Sequence, residues 1–449
     1  MARRPPDRPA GVGPMRVLVY AYGTRGDVQP YLALAYALHR EGHQAVLAAP
    51  ARFRSLAEQY GVGFAPRDDE WLGILNDPDV RRILERGGFR GGLDSSRRKQ
   101  VQQRLRTEFS RLLPKILDDT WAAAGGGADL VVHSQEFVDQ GQQVAEALGV
   151  PAVLALLHPY VVPSWQYPSA LFRFDAKLPG VVKRLSYVPL RFLRLETATV
   201  QRWRSERLGL PPRRGQYDML RQPDGSRTTV LHGFSRHLVA PASDWPSGVH
   251  TTGFWLLPSE GRWSPPDPLV RFLDSGPPPV FVGFGSLSGD DPRRMGEIVV
   301  AAVRNLGVRA VVSGGWDSIR IDVPPDDVFV LDQAPFDWLL PRLRLAVHAG
   351  SAGVANEALA AGIPHVSCPM HREQELWGDQ LHRLGLAPPP IRQRDLTADN
   401  LTAAMRTALR DVDMAERARQ VREQVRAEDG ARAAVRILEH VHAERSVRR

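Results

Sequence analysis

Short apolar runs rich in β-branched residues alternate along this chain with longer stretches of helical period. Residues 16–21 (RVLVYA) form one such run, closed by Gly23, and predict a buried strand. Residues 31–40 follow with helical spacing and stop at Glu41-Gly42. Residues 43–48 predict a second strand and 52–60 a second helix. Further strands fall at 130–132 and 152–156, with a helix over 138–148 between them. Strand–helix–strand alternation of this kind implies parallel pairing and right-handed crossovers.

The alternation breaks twice and then restarts. Residues 66–128 hold Arg-rich helical stretches, notably 95–117, and read as a helical insertion. Residues 157–215, rich in Pro, Trp, Tyr and Arg, show no clean period and read as loops and helices over a cleft. Eight prolines and glycines cluster between Pro241 and Pro266 and mark a linker. Beyond it, strands are expected at 279–283, 309–312, 328–331, 345–347 and 365–367, with helices between. Two helical stretches, 397–409 and 413–442, close the chain.

The expected fold class is therefore α/β, with two Rossmann-like parallel-sheet domains facing a cleft and a helical C-terminus. The expected division is a disordered tail (1–14), a first domain (15–240), a linker (241–266), a second domain (267–425) and a C-terminal helix with a basic tail (426–449). In open parallel sheets, ligands bind beyond the carboxyl ends of strands. Function is expected in the loops after Ala21, Gly283, Ser313, Leu331 and Val347.

Composition narrows the class. A chain of 449 residues, 43% hydrophobic and 24% charged, has room for two or three domains with sizeable cores. The net charge of +8 suggests a nucleic-acid partner, but each terminal tail supplies about +2 of it, and only four basic residues are lysines. A nucleic-acid partner is therefore not expected. Cys368 is the single cysteine, so no internal disulfide and no Cys-based zinc site are expected. The basic N-terminus lacks the apolar stretch of a signal peptide, and the apolar run at 150–162 is too short and broken to span a bilayer. The expectation is a cytoplasmic protein without stable membrane insertion.

Four motifs carry candidate chemistry. Gly23-Thr24-Arg25-Gly26-Asp27-Val28-Gln29-Pro30 follows the first strand and opens the first helix. Asp27 suits a helix cap, worth about 1 kcal/mol, and also suits a general base at the mouth of the cleft. His348-Ala349-Gly350-Ser351-Ala352-Gly353 follows a strand and opens a helix, an arrangement fit for a pyrophosphate. His348 is placed to donate a hydrogen bond to a phosphate oxygen. Glu373-Gln374, 25 residues after His348, combines acceptors and donors that suit sugar hydroxyls or a solvated helix start. Gly283-Phe284-Gly285-Ser286 offers N–H groups and a hydroxyl to a phosphate. Its next glycine, Gly289, falls one residue late for a dinucleotide fingerprint.

From Met15 to about Leu438 the order and spacing of these motifs resemble the GT-B fold glycosyltransferases that use nucleotide-sugar donors. The branch most similar contains sterol glucosyltransferases and actinomycete antibiotic glycosyltransferases. The resemblance implies that Asp27 is the base. It implies a donor site in which Gln333 lies near base and ribose. His348 and the turn Gly350, Ser351, Ala352 and Gly353 meet the pyrophosphate, Ser286 lies near the diphosphate, and Glu373 and Gln374 hold the sugar. The family is metal-independent and inverting, so no metal and no cofactor are expected beyond the nucleotide-sugar co-substrate. The chain departs from the branch at Ala349, Val354 and Glu373, where His, Thr and Asp are usual.

The acceptor is expected to be an apolar hydroxylated molecule held by the first domain, with His133, His158, Tyr160, Trp165 and Tyr167 as candidate walls. A macrolide or polyene aglycone is the leading acceptor, with a sterol or glycopeptide as alternatives. A sugar-nucleotide epimerase or a non-catalytic helper of the same fold are the readings from other classes. The oligomeric state is not legible.

Overall fold

The computed structural model describes residues 13–75, 77, 79–80, 95–136, 138–174, 176–189, 197–212, 218–259, 261, 263–285, 291–314 and 318–448. The greater part of the expected N-terminal tail, and Ser286, lie outside these residues.

The first sheet has seven strands: β1 (Arg16–Tyr20), β2 (Gln44–Pro50), β3 (Gly63–Arg67), β4 (Leu130–His133), β5 (Ala152–Leu156), β6 (Thr229–His232) and β7 (Val249–Thr251). Their order is β3-β2-β1-β4-β5-β6-β7, and every pairing is parallel. The second sheet contains β8 (Val280–Gly283), β9 (Ala310–Ser313), β10 (Val328–Leu331), β11 (Ala346–His348) and β12 (His365–Ser367), in the order β10-β9-β8-β11-β12, again all parallel. Runs such as LVVH in β4 and VFVG in β8 are buried throughout. Helices on both faces of a parallel sheet leave no polar side, which is why these strands read as continuous apolar runs.

Both faces of the first sheet are covered. One carries the helix Arg25–Arg40, with Val17, Val19, Leu32 and Leu34 in its core; the other carries Ser95–Ala122 and Gln140–Leu148, with Leu112, Leu113 and Val144. The stretch expected as an insertion is therefore a cover over the sheet. The second sheet is packed by Pro292–Leu306 and Ala398–Arg410 on one face.

One expectation about domain limits needs correction. The first sheet does not end before residue 240, because β7 lies inside the stretch read as linker and pairs with β6. Three residues flanked by prolines and glycines are too short to show a strand period. The last helix, Gly430–Arg448, expected as a unit apart from the second domain, packs on the first. Ala434, Val435, Ile437 and Leu438 enter the first domain's core, and buried His43 and Glu439 meet at 3.1 Å. The backbone N–H of Met15 donates to His43 Nδ1, so Nε2 carries the proton given to Glu439.

The domains also meet directly. Tyr160, Phe174, Phe234 and Leu238 of the first domain pack against Ala352, Leu359, Leu376 and Trp377 of the second.

Candidate active site

One cavity lies between the domains, and the loops at the carboxyl ends of both sheets line it. From the first domain come Thr24, Arg25, Asp27, Gln29 and Leu157. From the second come Phe284, Gln333, Ser351–Val354, Glu357, His371, Glu373 and Gln374.

The loop after β1 is built around Asp27. Thr24 is the N-cap of the helix Arg25–Arg40, and Asp27 is its third residue rather than the residue before it. Asp27 Oδ2 accepts from the Thr24 backbone N–H at 2.7 Å and from the Thr24 hydroxyl at 3.0 Å. This is the reciprocal half of a capping box. The carboxylate thus serves the helix start while opening into the cavity. Enclosure by the cleft walls, reinforced by Glu373 on the other side, pushes Asp27 up to about 6, against the opposing pull of the two Thr24 bonds.

The loop after β11 turns at Gly350, whose φ is +84°. A Cβ there would come within 2.7 Å of the Gln374 carbonyl oxygen, so the turn and the Glu373-Gln374 corner are in close contact. Gly353 comes up to Gly26 of the first domain, where an added Cβ would touch the Gly26 Cα at 3.6 Å. The helix Ala352–Ala361 begins here and directs its N-terminal N–H groups towards the cavity end.

His348 does not line this cavity. Its Nδ1 accepts from the Gly350 N–H at 2.9 Å, and its Nε2 lies 3.0 Å from His365 Nδ1. An Nδ1 that accepts is unprotonated, so the single ring proton sits on Nε2 and points to His365. Burial pushes His348 down to about 4, so the ring is neutral at neutral pH. The donation to phosphate expected from the sequence finds no free N–H here; the imidazole instead holds the Gly350 turn.

Gln374 is buried. Its side-chain carbonyl accepts from the Met370 N–H at 2.8 Å, which leaves its amide nitrogen to donate into the cavity. Glu373 stands beside it on the first turn of the helix Arg372–Arg383. Gln333, after β10, accepts from Arg25 Nη1 at 3.0 Å. Arg25 also holds Gln29 at 2.9 Å, and Gln29 reaches Glu357 at 3.4 Å. This relay crosses the cleft. Glu357 is buried, with Asp337 adding repulsion, and is pushed up to about 8 against the attraction of Arg25. It is a neutral acid at neutral pH and accepts from the Gln29 amide within the relay.

The sequence reading missed Arg25, Gln29, Glu357 and His371. Arg25 and Gln29 lay within a motif already singled out, so only their partners were hidden. Glu357 is one turn beyond the glycine turn and carried no separate signal.

None of the five acceptor candidates lines the cavity. His133 is buried at the end of β4, donates from Nδ1 to the Ser134 carbonyl (3.1 Å), and sits under Gly141 of the covering helix. Tyr160 is buried between the domains, with its ring 5.7 Å from that of His158. His158 is one residue past Leu157, and burial lowers its pKa while Glu373 opposes this. Tyr167 stacks on Phe174 and donates to the Ala240 carbonyl at 2.7 Å. Trp165 is half exposed on the outer surface, with Arg184 over its ring.

Two parallel α/β domains with a cleft between their carboxyl edges are the GT-B fold, which this chain has. Within it, residues 17–160 match the glycosyltransferase family 28 N-terminal domain, and residues 311–441 match the C-terminal domain of erythromycin biosynthesis protein CIII-like proteins. The sterol 3-beta-glucosyltransferase of Emericella nidulans is 30% identical over 439 residues, 95% of this chain and 30% of the relative. That of Candida albicans is 30% identical over 438 residues, 94% of this chain and 27% of the relative. The chain thus spans less than a third of the length of these relatives. Among solved structures, a kitacinnamycin glycosyltransferase aligns with a TM-score of 0.64 at 19% identity, covering 95% of this chain and 99% of that one. The glycosyltransferase VinC in complex with dTDP aligns with a TM-score of 0.62 at 20% identity, covering 96% of this chain and 100% of its own.

Proposed function

We propose that this protein transfers a sugar from a nucleoside-diphosphate sugar to a hydroxyl of an apolar, sterol-like acceptor, with inversion at the anomeric carbon. The observation that carries the reading is that Asp27, Glu373-Gln374 and the Ser351–Gly353 helix start, from two domains, line one cavity. A base, a sugar-holding pair and an anion site are the three parts that such a transfer needs.

In this mechanism Asp27 removes the proton of the acceptor hydroxyl as its oxygen attacks the anomeric carbon from the face opposite the diphosphate. The Thr24 bonds fix one carboxylate oxygen, so the other faces the acceptor. The diphosphate leaves towards the N–H groups at the start of the helix Ala352–Ala361, which stabilise the developing charge. His348 contributes by holding Gly350 rather than by touching phosphate. Glu373 and Gln374 take the sugar hydroxyls, and Gln333 with Arg25 stands at the base and ribose end. Ser286 keeps the role implied by resemblance, near the diphosphate.

The sterol-like acceptor is supported by relatives that align over nearly the whole chain. A macrolide-type acceptor is the second reading. The CIII-like match that favours it covers the second domain, which holds the donor side of the cavity rather than the acceptor side.

The test is nucleoside-diphosphate release from UDP-, dTDP- and GDP-sugars, with and without a sterol and a macrolide aglycone. Release that needs one acceptor class supports transfer and names it. Altered sugar released without an acceptor would indicate an epimerase. No release and no donor-dependent melting shift would sink the enzyme reading.

A further inference from the structure

Ten large apolar side chains stand exposed among the described residues, and seven of them fall within residues 165–188. They include Trp165 at 50%, Val181 at 51%, Leu185 at 58% and Val188 at 43% exposure. Single exposed apolar residues are ordinary, but a concentration in one segment is not.

The segment folds into one surface. Ser169 and Ser186 bond each other twice, at 2.8 Å from the Ser169 N–H and 2.8 Å from its hydroxyl, and this ties the Leu171–Phe172 turn to the end of the helix Gly180–Leu185. Trp165 lies against the start of that helix, where a Cβ on Gly180 would come 3.5 Å from its ring. No residue of the helix is buried. This six-residue helix leaves Val181, Val182 and Leu185 exposed.

Cations flank this surface, and Lys183 Nζ donates to the Gln166 carbonyl at 3.0 Å. Arg173, Lys177, Lys183 and Arg184 lie in the segment, and two of them are half of the chain's four lysines. Asp379 meets Arg173 and Asp244 meets Arg184, while among the described residues neither Lys177 nor Lys183 has an ion-pair partner. Arg184 lies over the Trp165 ring, with its guanidinium carbon 5.8 Å from the centroid. Tryptophan and aliphatic side chains interleaved with long cationic ones suit the boundary between acyl chains and anionic headgroups. There the rings and methyls enter the acyl layer while the charges stay among the phosphates.

We propose that the face formed by Trp165, Phe172, Val181 and Leu185, flanked by Lys177 and Lys183, is a membrane-adsorbing surface that takes an anionic lipid bilayer. Adsorption of this kind needs no spanning helix, and none of the described helices is long and apolar enough to cross a membrane. The proposal goes beyond the transfer reaction and is read without donor or acceptor.

The experiment is cosedimentation of the full chain with phosphatidylcholine vesicles, with and without about one-third phosphatidylglycerol, at low and high salt. Binding is expected to the anionic vesicles and to fall at high salt. The double variant V181S/L185S is expected to weaken it at least about ten-fold through lost apolar area. Lys177→Glu with Lys183→Glu, which leaves the apolar residues in place, should weaken it comparably. Melting curves establish that each variant is folded. Absence of vesicle binding, or binding that neither variant changes, overturns the proposal. So does light scattering that shows a dimer broken by V181S/L185S while vesicle binding is kept, because the face would then join two copies of the chain.

Discussion

The Asp27 carboxyl group occupies the space that a side chain on Gly23 would fill. A Cβ on Gly23 would lie 2.7 Å from the Asp27 carboxyl carbon, and Gly23 has a φ of +138°, where other residues are strained. The turn after β1 is thus shaped around one carboxylate. A helix cap alone does not need this, since a cap oxygen can be reached from a turn of ordinary residues.

The first prediction separates base from cap. Asp27→Asn is expected to lower kcat about 10²–10⁴-fold, the usual contribution of a general base, while the melting temperature changes little. In the native enzyme kcat/KM should rise with pH through about 6, where Asp27 loses its proton, and level off above. A variant that keeps its rate but melts early would leave Asp27 as a structural residue only.

Gly350→Ala should injure donor binding. The alanine Cβ would press on the Gln374 carbonyl at 2.7 Å in a backbone region that costs roughly 1–3 kcal/mol without glycine. The expected signs are a lower melting temperature and a smaller stabilisation by nucleoside diphosphate. A donor-induced melting shift equal to that of the native protein would show that the turn does not bind the donor.

Glu357 makes stability depend on pH. Its folded pKa of about 8 stands above the unfolded 4.5, so folding favours its protonated form. The stabilisation is complete below about 4.5 and is lost as pH rises through about 8. Glu357→Gln keeps a neutral polar group beside Gln29 and should gain stability relative to the native protein between pH 5 and pH 9. Parallel melting curves for the two across that range would mean that Glu357 is ionised in the fold.

Arg67 and Glu136 form an ion pair at 2.7 Å, with side chains 1% and 5% exposed, beneath the rings of Tyr20 and Tyr22. Arg67→Ala strands a buried carboxylate and should cost roughly 3–5 kcal/mol in urea unfolding. Changing both residues together, Arg67→Met with Glu136→Gln, should recover much of that loss. A single variant as stable as the native chain would show that water reaches the pair.

Much of the site was legible because its parts are backbone motifs. The glycines at 23, 26, 350 and 353 and the Asp27 between them sit at strand–helix junctions, which local sequence marks well. The partnerships across the cleft were not legible. Nothing in the spacing of Arg25 or Gln333 says that they meet, since 308 residues separate them and only the docking of two domains joins them. His348 was misjudged for a related reason. Its position at a strand end was right, but both ring nitrogens are taken by Gly350 and His365, and the second lies on a neighbouring strand. The aromatic residues expected as acceptor walls were recognised as exceptional in composition, yet Tyr160 belongs to the domain interface and Trp165 to the outer face.

The closing helix also fixes the order in which this protein becomes complete during synthesis. Ala434, Val435, Ile437 and Leu438 fill the face of a sheet whose first strand is Arg16–Tyr20. Domains emerging from a ribosome ordinarily fold in turn, the N-terminal one first. Here the first domain must wait, its apolar face uncovered, until the second has been made and the helix Gly430–Arg448 is free to dock. Of the two domains, the one made first is finished second.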